Sequence, residues 1–427
     1  MSTDSPSIGI WYVSKYVAPP GSGTAGGRGY LLMKELARMG HRVVIITSDS
    51  NQLATPPELK HDYLLQDIDG LQLCWVRTLK YSVAKSVRRI LSWLHFEWRL
   101  LWLPKQKLVK PDVLVVSSLS LLTVLNGLWW RARYKCRLVF EVRDIWPLTI
   151  TEEGGFRPSN PFVWGLQIIE RLGYKHADAI VGTMPNLAEH VEQVLGYPRT
   201  THCIPMGVDA DALASPEALP EDYIKQYFAV GKFVVAHVGS IGITNALDTF
   251  LECAQNMQDR ADIHFLVVGD GDLRETYRAQ YAHLTHLTFA PRVPKAMVQS
   301  VLTRCDLLYF SVHESQVWQY GQSLNKVIDY MMAGKPVVAS YTGYPSMINE
   351  SNCGTYVPAG DVRALQDEIE RYARMDPQER QTMGARGRTW LLEHRGYPQL
   401  AQDYLDVMLH QSKQGTKPVR HMHETRV

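Results

Sequence analysis

The sequence predicts an α/β fold with two Rossmann-like domains, each a doubly wound parallel sheet, that face a cleft. The chain has 427 residues, which is too long for one compact core and suits two domains of roughly 200 residues each. Short β-branched runs alternate with longer amphipathic stretches, as in a parallel sheet with helices on both faces. This alternation stops near Pro205 and begins again at Phe233, which predicts a second sheet.

Each domain has its own set of predicted strands. In the first domain, residues 1–209, the strands are Ile8–Val13, Val43–Thr47, Val113–Val116, Leu138–Val142 and Ala179–Val181. In the second domain, residues 210–395, the strands are Phe233–Val238, Ile263–Val268, Leu307–Phe310 and Pro336–Ala339. We expect a helix at 396–410 to pack back on the first domain. The tail at 411–427 has no apolar period and is expected to be disordered.

Composition narrows the classes of function. The 45 Lys and Arg residues nearly balance 43 Asp and Glu residues, and the resulting net charge of +2 does not favour nucleic acid as a partner. The six cysteines form no CxxC pair, so we interpret them as buried thiols and expect no metal and no cofactor. The polar start of the chain and the lack of a long apolar stretch predict a cytoplasmic protein without a transmembrane helix.

A glycine-rich segment follows the first predicted strand. It runs from Pro19 to Gly29 and contains five glycines. Glycine permits positive φ and close backbone approach, so Gly26, Gly27 and the start of the next helix can face an anion such as a diphosphate. The spacing differs from the GxGxxG of dinucleotide-binding proteins, and an ordinary mobile loop is the alternative.

A charged and aromatic string ends the fourth predicted strand. The segment Glu141–Pro147 reads Glu-Val-Arg-Asp-Ile-Trp-Pro. Open α/β sheets bind ligands at the C-terminal ends of their strands. Arg143 and Asp144 are therefore predicted to orient hydroxyls of a sugar, with Trp146 offering it a flat apolar face. The alternative is an ion pair between Arg143 and Asp144 that only holds the loop together.

A glycine turn follows the second strand of the second domain. Gly269, Asp270 and Gly271 come directly after Val268. Their backbone would lie close to a base or a ribose. Turns of this composition follow many strands, so an ordinary turn is the alternative.

The most informative string is 320–339, which predicts a helix followed by a strand. Ser323 is the predicted N-cap. The amides around Asn325, the helix dipole and Lys326 would converge on an anion. Asp329 lies four residues after Asn325, on the same helix face, where its carboxylate can accept hydrogen bonds from ribose hydroxyls. The alternative is a surface ion pair between Lys326 and Asp329.

The stretch from Arg77 to Lys110 is locally basic, with nine Lys and Arg residues against one acid, Glu97. At 100° per residue, one apolar face is predicted to pack on the domain: Val83, Val87, Ile90, Leu94, Trp98 and Leu101. The face that should rest on anionic phospholipid headgroups carries Lys85, Arg89, Phe96 and Arg99. An ordinary solvated helix face is the alternative.

Taken together, these strings resemble the bacterial family 4 retaining glycosyltransferases, especially those of O-antigen, capsule or exopolysaccharide assembly. The most specific parts are Glu141–Pro147 and the segment from Asn325 to Val338. The resemblance implies a GT-B fold, a nucleotide-sugar donor in the C-terminal domain and a lipid-linked saccharide acceptor in the N-terminal domain. It also implies retention of anomeric configuration without a metal, at the inner face of the plasma membrane. UDP is the favoured nucleotide and GDP the alternative.

The chain departs from the family pattern at several positions. The hinge string, usually Pro-Asn-Gly-Val-Asp, is matched at 205–209 with Met206 in place of Asn. The E-x7-E motif has Gly321 at the first glutamate position and Asp329 at the second. Only the ribose-type carboxylate of that motif is therefore present.

The phosphate cations of the family are also displaced. The Arg and Lys that follow the first strand of the C-terminal domain fall near Ser240 and Asn245, although the backbone of Gly239 and Ser240 remains a predicted nucleotide contact. A leaving diphosphate still requires positive charge. We assign that charge to three groups: Lys326, the helix start at 323–325 and Arg292. The predicted catalytic residues are Arg143, Asp144 and Lys326.

The leading hypothesis is an enzyme that transfers a sugar by a front-side, oxocarbenium-like displacement. A non-catalytic nucleotide-sugar-binding subunit is the alternative that the missing Glu, Arg and Lys leave open. A nucleotide-sugar 2-epimerase would need carboxylates and histidines around the sugar, and no such cluster is evident at the predicted strand ends. Nucleic-acid binding would have to be salt-sensitive, and the balanced charge does not favour it.

Overall fold

The computed structural model describes residues 6–21, 26–51, 53–81, 87–152 and 154–410. The chain divides into two compact units. The first unit runs to Pro205 and resumes at Tyr397, and the second runs from Met206 to Gly396. The lysine at 85, the segment 22–25 of the glycine-rich loop and the tail at 411–427 lie outside the described residues.

The first unit is an eight-stranded sheet with helices. Its elements are β1 Gly9–Val13, α1 Arg28–Arg38, β2 Arg42–Ser48, β3 Tyr63–Ile68, β4 Leu71–Val76, α2 Val87–Trp102, β5 Val113–Ser117, α3 Thr123–Tyr134, β6 Arg137–Val142, α4 Leu148–Glu152, α5 Pro161–His176, β7 Ala179–Gly182, α6 Leu187–Leu195 and β8 Thr201–Cys203. The strand order is β3-β4-β2-β1-β5-β6-β7-β8. Every neighbouring pair is parallel except β3 and β4, which form an antiparallel hairpin at one edge.

The second unit is a six-stranded parallel sheet. Its elements are α7 Ala210–Ala214, α8 Glu221–Tyr227, β9 Phe233–Val238, α9 Asp248–Asn256, β10 Ile263–Val268, α10 Arg274–Gln280, β11 Leu287–Ala290, α11 Val298–Leu302, β12 Leu307–Ser311, α12 Asn325–Met332, β13 Val337–Ser340, α13 Met347–Ser351, β14 Gly354–Val357, α14 Val362–Arg374 and α15 Pro377–His394. The strand order is β11-β10-β9-β12-β13-β14. The last helix, α16 Tyr397–Met408, packs against α1 in the first unit.

These two sheets confirm the predicted fold class. The predicted strands were recognisable because central parallel strands are covered on both faces and read as continuous apolar runs; β1, β5 and β10 are buried at every residue. The sequence analysis missed β3, β4, β8, β11 and β14, most of which are short or partly exposed. Five cysteines are buried thiols, whereas Cys203 in β8 is partly exposed.

Both sheets have a point at which the strand order reverses. In the first unit it lies between β1 and β5, and in the second between β9 and β12. The loops after these neighbouring strands leave toward opposite sides, so a crevice opens between them at the C-terminal edge of the sheet. The described residues contain no helix that is long and apolar enough to cross a membrane.

A buried ion pair joins α1 to the centre of the first sheet. Arg28 Nη1 lies 2.7 Å from Oε2 of Glu141, and both side chains are fully buried. Glu141 also accepts hydrogen bonds from the hydroxyls of Tyr12 and Tyr404 at 2.7 and 3.1 Å. Burial alone would raise the pKa of Glu141, but the charges of Arg28 and Arg143 and the hydrogen bonds lower it overall. The carboxylate is therefore ionised.

The other nitrogens of Arg28 bind backbone carbonyls just after β8. Nε donates to the carbonyl of Pro205 at 3.0 Å, and Nη2 donates to the carbonyl of Ile204 at 2.6 Å. The guanidinium of Arg28 thus links the start of α1 to strand β6 and, through the carboxylate of Glu141, to helix α16. It also binds the segment that follows β8.

We expect Glu141→Gln to destabilise the first unit by about 3–5 kcal/mol, because the substitution leaves Arg28 as a buried charge without a counterion. Tryptophan fluorescence during urea denaturation reports mainly on this unit, since nine of the 11 tryptophans precede Met206. The control is Asp367→Asn, which breaks the exposed Arg363–Asp367 pair and should change stability by less than about 1 kcal/mol. Equal unfolding midpoints for the two variants would contradict the central role of the pair.

Candidate functional site

A half-buried lysine lies at the point of strand reversal in the second unit. Lys326 is the second residue of α12, which follows β12, and its Nζ donates to Oδ1 of Asn245 in the loop after the neighbouring strand β9. A Cβ added to Gly239 would lie 3.9 Å from Cε of Lys326. Burial lowers the pKa of Lys326 to about 8. An ammonium group therefore lies beside backbone that carries no side chain, which suits an anion.

Histidine 237 belongs to the same corner, and the sequence analysis missed it. His237 is the penultimate residue of β9, and its side chain is fully buried. Its Nε2 lies 3.3 Å from the carbonyl oxygen of Ser240, so this nitrogen carries the proton and donates. Burial and the charge of Lys326 lower the pKa of His237 to about 3. The neutral imidazole of His237 thus holds the loop at Gly239 and Ser240. In the sequence, the position of His237 near the end of a strand is the one signal that could have indicated this role.

Two loops at this corner pack tightly on each other. A Cβ on Gly269 would lie 1.8 Å from the carbonyl oxygen of Gly239, and one on Gly271 would lie 2.3 Å from that of Ile241. The amides of Gly239 and Ile241 donate to Val268 and Asp270 carbonyls at 2.9 Å. Contact between the two loops thus requires both glycines, and their approach to a base or ribose stays a prediction. Asp270 is exposed, and its Oδ1 accepts from the amide of Gly271 at 2.9 Å.

The start of α12 differs from the prediction. The N-cap is Leu324, which provides no side-chain cap. Ser323 was predicted as the cap, but its Oγ instead accepts from the backbone amide of Met206 at 2.9 Å. Among the described residues, no side chain accepts from the amides of the first helical turn, which begins at the exposed Asn325, so the positive end of the helix dipole remains available.

Asp329 has a partner that the sequence analysis did not anticipate. Nζ of Lys295 donates to both carboxylate oxygens of Asp329 at 2.6 and 2.5 Å. The alternative pair between Lys326 and Asp329 is wrong, because Lys326 binds Asn245 instead. Burial raises the pKa of Asp329, and Lys295 opposes that rise. Arg292 is exposed, and its side chain forms no ion pair with another described residue.

The first unit places Arg143 and Asp144 directly after β6, one strand beyond the point of strand reversal between β1 and β5. The loop is held by neighbouring hydroxyls: Ser118 Oγ accepts from the amide of Arg143 at 2.9 Å, and Thr183 Oγ1 donates to its carbonyl at 3.1 Å. The described residues show no ion pair between Arg143 and Asp144, so the predicted alternative of a stitching pair is wrong. Burial raises the pKa of Asp144, and the charge of Arg143 opposes that rise.

The aromatic ring of Trp146 lies in the same loop. It packs edge to face with Trp93 of α2, with 5.2 Å between ring centroids. Nε1 of Trp93 in turn donates to the hydroxyl of Tyr16, which follows β1, at 2.8 Å. Helix α2 therefore supports the loop that carries Arg143 and Asp144.

The described end of the glycine-rich segment is well ordered by backbone contacts. Gly26 has a φ of +116°, which favours glycine. The amide of Gly27 donates to the carbonyl of Ala18 at 2.7 Å. Because the next residue is Arg28, the turn at Gly26 and Gly27 is anchored by the buried ion pair to Glu141. Gly26 and Gly27 lie at the start of α1, and their contact with an anion stays a prediction.

The predicted faces of α2 are reversed in the structure. Phe96 is fully buried, whereas Leu94, Trp98 and Leu101 of the predicted packing face are exposed. The helix packs through Ser92, Trp93, Phe96 and Leu100. Apolar residues occupy both faces, so the periodicity identified an apolar stripe without identifying the one that meets the sheet.

The basic side chains predicted to touch a membrane also have other partners. Arg99 donates to Asp62 at 2.6 Å, and Arg89 lies over the ring of Trp93 at 5.2 Å from its centroid. Arg89 and Arg99 therefore have partners within the protein, and their contact with a membrane stays a prediction.

Lys15 is a buried cation that no motif indicated. It follows β1, is fully buried, and donates to Ser48 Oγ and to the carbonyl of Ser50 at 3.1 Å. Its Nζ lies 5.7 Å from the centroid of the Phe96 ring. Burial lowers the pKa of Lys15 to about 7, although nearby carboxylates raise it. Its contacts indicate that it ties β1 to β2 and α2.

Family comparisons divide the chain as the structure does. Residues 30–212 match a family model described as Glycosyltransferase Family 4. Residues 232–374 match one described as Glycosyl transferases group 1. The first match falls almost wholly in the first unit and the second in the second unit. No curated protein matches the sequence significantly.

Solved structures share the fold at low identity. Sucrose-phosphate synthase from Thermosynechococcus elongatus is 16% identical, with 94% of this chain and 98% of that chain covered and a TM-score of 0.68. HepE from Anabaena, in complex with UDP and glucose, is 13% identical, with 94% and 100% covered and a TM-score of 0.61. WaaG, a glycosyltransferase involved in lipopolysaccharide biosynthesis, is 16% identical, with 93% and 99% covered and a TM-score of 0.62. The two domain matches and the shared fold together identify the chain as a glycosyltransferase of the GT-B type.

Proposed function

We propose that the protein transfers a sugar from a UDP-sugar to a saccharide acceptor carried on a lipid, with retention of configuration and without a metal. The observation that carries this proposal is the corner formed by Lys326, Asn245 and Gly239 at the strand reversal of the second unit. That unit matches the group 1 glycosyltransferase model. Two solved structures of the same fold contain UDP or UDP-glucose, which supports UDP over GDP.

The corner has the properties that a leaving diphosphate requires. As the bond between the anomeric carbon and the phosphate oxygen breaks, negative charge grows on that oxygen. Lys326 and the uncapped amides of α12 provide positive charge at a site that binding would desolvate further. These groups take the role that a metal ion has in other phosphate sites. Arg292 is too exposed to be more than a second contact.

The acceptor role falls to the loop after β6. A front-side displacement forms a bond from the acceptor oxygen to the anomeric carbon on the face that the diphosphate leaves, and the hydroxyl proton passes to the leaving phosphate oxygen. Arg143 and Asp144 have side chains without an ion-pair partner among the described residues, so they can orient the acceptor hydroxyl. Ser118 and Thr183 hold the backbone of this loop in place.

Transfer itself is the direct test of the function. The purified protein is incubated with UDP-glucose, UDP-galactose or UDP-N-acetylglucosamine and a synthetic polyprenyl-linked saccharide, and release of UDP is measured. We expect stabilisation by UDP rather than GDP or ADP in thermal melting, activity that persists in EDTA, and an unchanged anomeric configuration by NMR. A protein that binds UDP-sugar yet neither hydrolyses nor transfers it would be the non-catalytic subunit.

The affinity for UDP should depend on pH through Lys326. With a pKa of about 8, Lys326 is charged below that pH and neutral above it. The diphosphate is fully ionised at these pH values, so affinity should fall roughly tenfold between about pH 7 and pH 9 as the cation is lost. Calorimetry should show this slope for the parent and for the control Lys225→Met, and a flat, weaker response for Lys326→Met. A parent slope that persists in Lys326→Met would remove Lys326 from the phosphate site.

Asp329 can be tested against its ion-pair partner. If Asp329 binds ribose hydroxyls, Asp329→Asn should weaken UDP by about 1.5–3 kcal/mol, because a charged acceptor is lost. Lys295→Met should leave the affinity equal or higher, since it releases the carboxylate from Lys295. Calorimetry and melting temperatures of both variants decide the point. Unchanged UDP binding by Asp329→Asn would make the pair purely structural.

Asp144 should affect transfer of the sugar to the acceptor, and neither binding nor hydrolysis of the donor. We expect Asp144→Asn to lower transfer to the saccharide roughly 100-fold, because the acceptor hydroxyl loses its orientation. Binding of UDP and hydrolysis of the donor should not change. Asp67→Asn, at an exposed position of β3, is the matched control. Equal losses of hydrolysis and transfer in Asp144→Asn would place Asp144 in the donor site instead.

A further inference from the structure

Helix α2 exposes a continuous apolar stripe. Five exposed residues recur at alternating steps of four and three along the helix, which places them on one face: Val87, Leu91, Leu94, Trp98 and Leu101. The next residue, Trp102, ends the helix and is 72% exposed. Scattered single apolar residues are ordinary on a protein surface, but a contiguous set of this kind marks an interaction site.

Helix α3 extends this surface. Leu125 and Trp129, one helical turn apart, are also exposed. Between the two helices lies a cavity of about 340 Å³ whose lining includes Leu94, Trp98 and Trp129. We call the exposed side chains of both helices the tryptophan face: Val87, Leu91, Leu94, Trp98, Leu101, Trp102, Leu125 and Trp129.

Two cations lie against the rings of the tryptophan face, and one of them, Arg99, also pairs with Asp62 at 2.6 Å. Nζ of Lys105 lies 5.7 Å from the centroid of the Trp129 ring, and the guanidinium of Arg99 lies 5.9 Å from that of Trp98. Glu97 is the only acid between Arg77 and Lys110. It accepts from Thr123 at 2.6 Å and from Asn126 at 2.7 Å. The surface is thus apolar at its centre, rich in tryptophan, and basic at its rim.

We propose that the tryptophan face inserts into the headgroup and upper acyl region of a lipid bilayer. Tryptophan prefers this layer because one end of its ring system is apolar and the other donates a hydrogen bond. Lysine and arginine can bury their stems there while their charges reach the phosphates. Protein interfaces, in contrast, are depleted in lysine, which disfavours a protein partner or a second copy as the occupant.

This proposal rests on the proposed function, because it assumes that the acceptor is linked to a lipid. The opposite side of α2 carries Trp93, which packs on Trp146 in the loop of Arg143 and Asp144. One helix therefore contacts the acceptor loop with one face and presents the tryptophan face with the other. Insertion of α2 would bring that loop to the depth at which a lipid-linked saccharide emerges from the bilayer.

Apolar insertion and headgroup attraction have different signatures. Binding through buried apolar area persists on neutral phosphatidylcholine and at high salt, whereas attraction between surface charges weakens as the Debye length falls to about 3 Å at 1 M salt. We expect the protein to sediment with phosphatidylcholine vesicles in 0.5 M NaCl, and anionic lipid to add affinity only at low salt.

The decisive variant is Trp98→Ser combined with Trp102→Ser, which removes two exposed rings and should lower vesicle partitioning at least about tenfold. The control is Val230→Ser combined with Leu392→Ser, two exposed apolar positions in the second unit, which should bind like the parent. Melting temperature and UDP affinity are measured in parallel. Because the nucleotide site is untouched, loss of vesicle binding with normal UDP binding is the expected result.

Three outcomes would overturn the proposal. The first is equal vesicle binding by the parent and the tryptophan variant, or no binding by the parent. The second is binding that requires anionic lipid and disappears in 0.5 M NaCl. The third is a parent that sediments as a dimer in solution while the tryptophan variant is a monomer, which would assign the face to a second copy. None of these outcomes overturns sugar transfer itself, which fails if UDP-sugars are not bound, or are bound but neither hydrolysed nor transferred.

Discussion

The ion pair between Arg28 and Glu141 is the constraint on which the first unit depends. Two opposite charges in a fully buried position are stable only if every remaining donor and acceptor has a partner. Here the partners come from four places in the chain: strand β1 through Tyr12, helix α16 through Tyr404, and the carbonyls of Ile204 and Pro205. The folding of residues almost 400 positions apart is thus coupled to one carboxylate.

The ion pair positions both segments of the first unit that are predicted to contact a ligand, the turn at Gly26 and Gly27 and the loop after β6. Arg28 is the first residue of α1, so its fixed position also fixes the turn at Gly26 and Gly27. Glu141 lies one residue before the end of β6, and Arg143 and Asp144 follow directly. In the second unit, the corresponding loops are held without a buried ion pair. They are held by the close contact between the glycine loops and by the hydrogen bond from His237. In each unit, polar contacts hold the loops that follow the central strands and carry the predicted ligand contacts.

The residues that the sequence could predict are those with a local signal. Central strands read as apolar runs, and Lys326 lies near a helix start, so both were accessible from spacing alone. Lys295 and Lys15 act through neighbours distant in sequence, Asp329 and Ser48, and no local pattern records such contacts. Gly321 is instructive because its φ of +107° disfavours a side chain. A glutamate at the first position of the family motif would be strained in this backbone.

Helix α2 shows why amphipathic periodicity can mislead. The pattern identified a true apolar stripe, but the helix has two, and the buried one is built around Trp93 and Phe96. Those rings are buried because Trp93 bonds to Tyr16 and Phe96 lies beside Lys15, contacts that exist only in the folded unit. A helix with apolar residues on two faces needs an apolar environment on both sides. The protein supplies one of them, and we propose a membrane interface as the other, because the exposed stripe combines tryptophan with Arg99 and Lys105 at its edge. We therefore propose that the exposed stripe of α2, which the sequence analysis assigned to packing, lies on the side of the first unit where the acceptor is met.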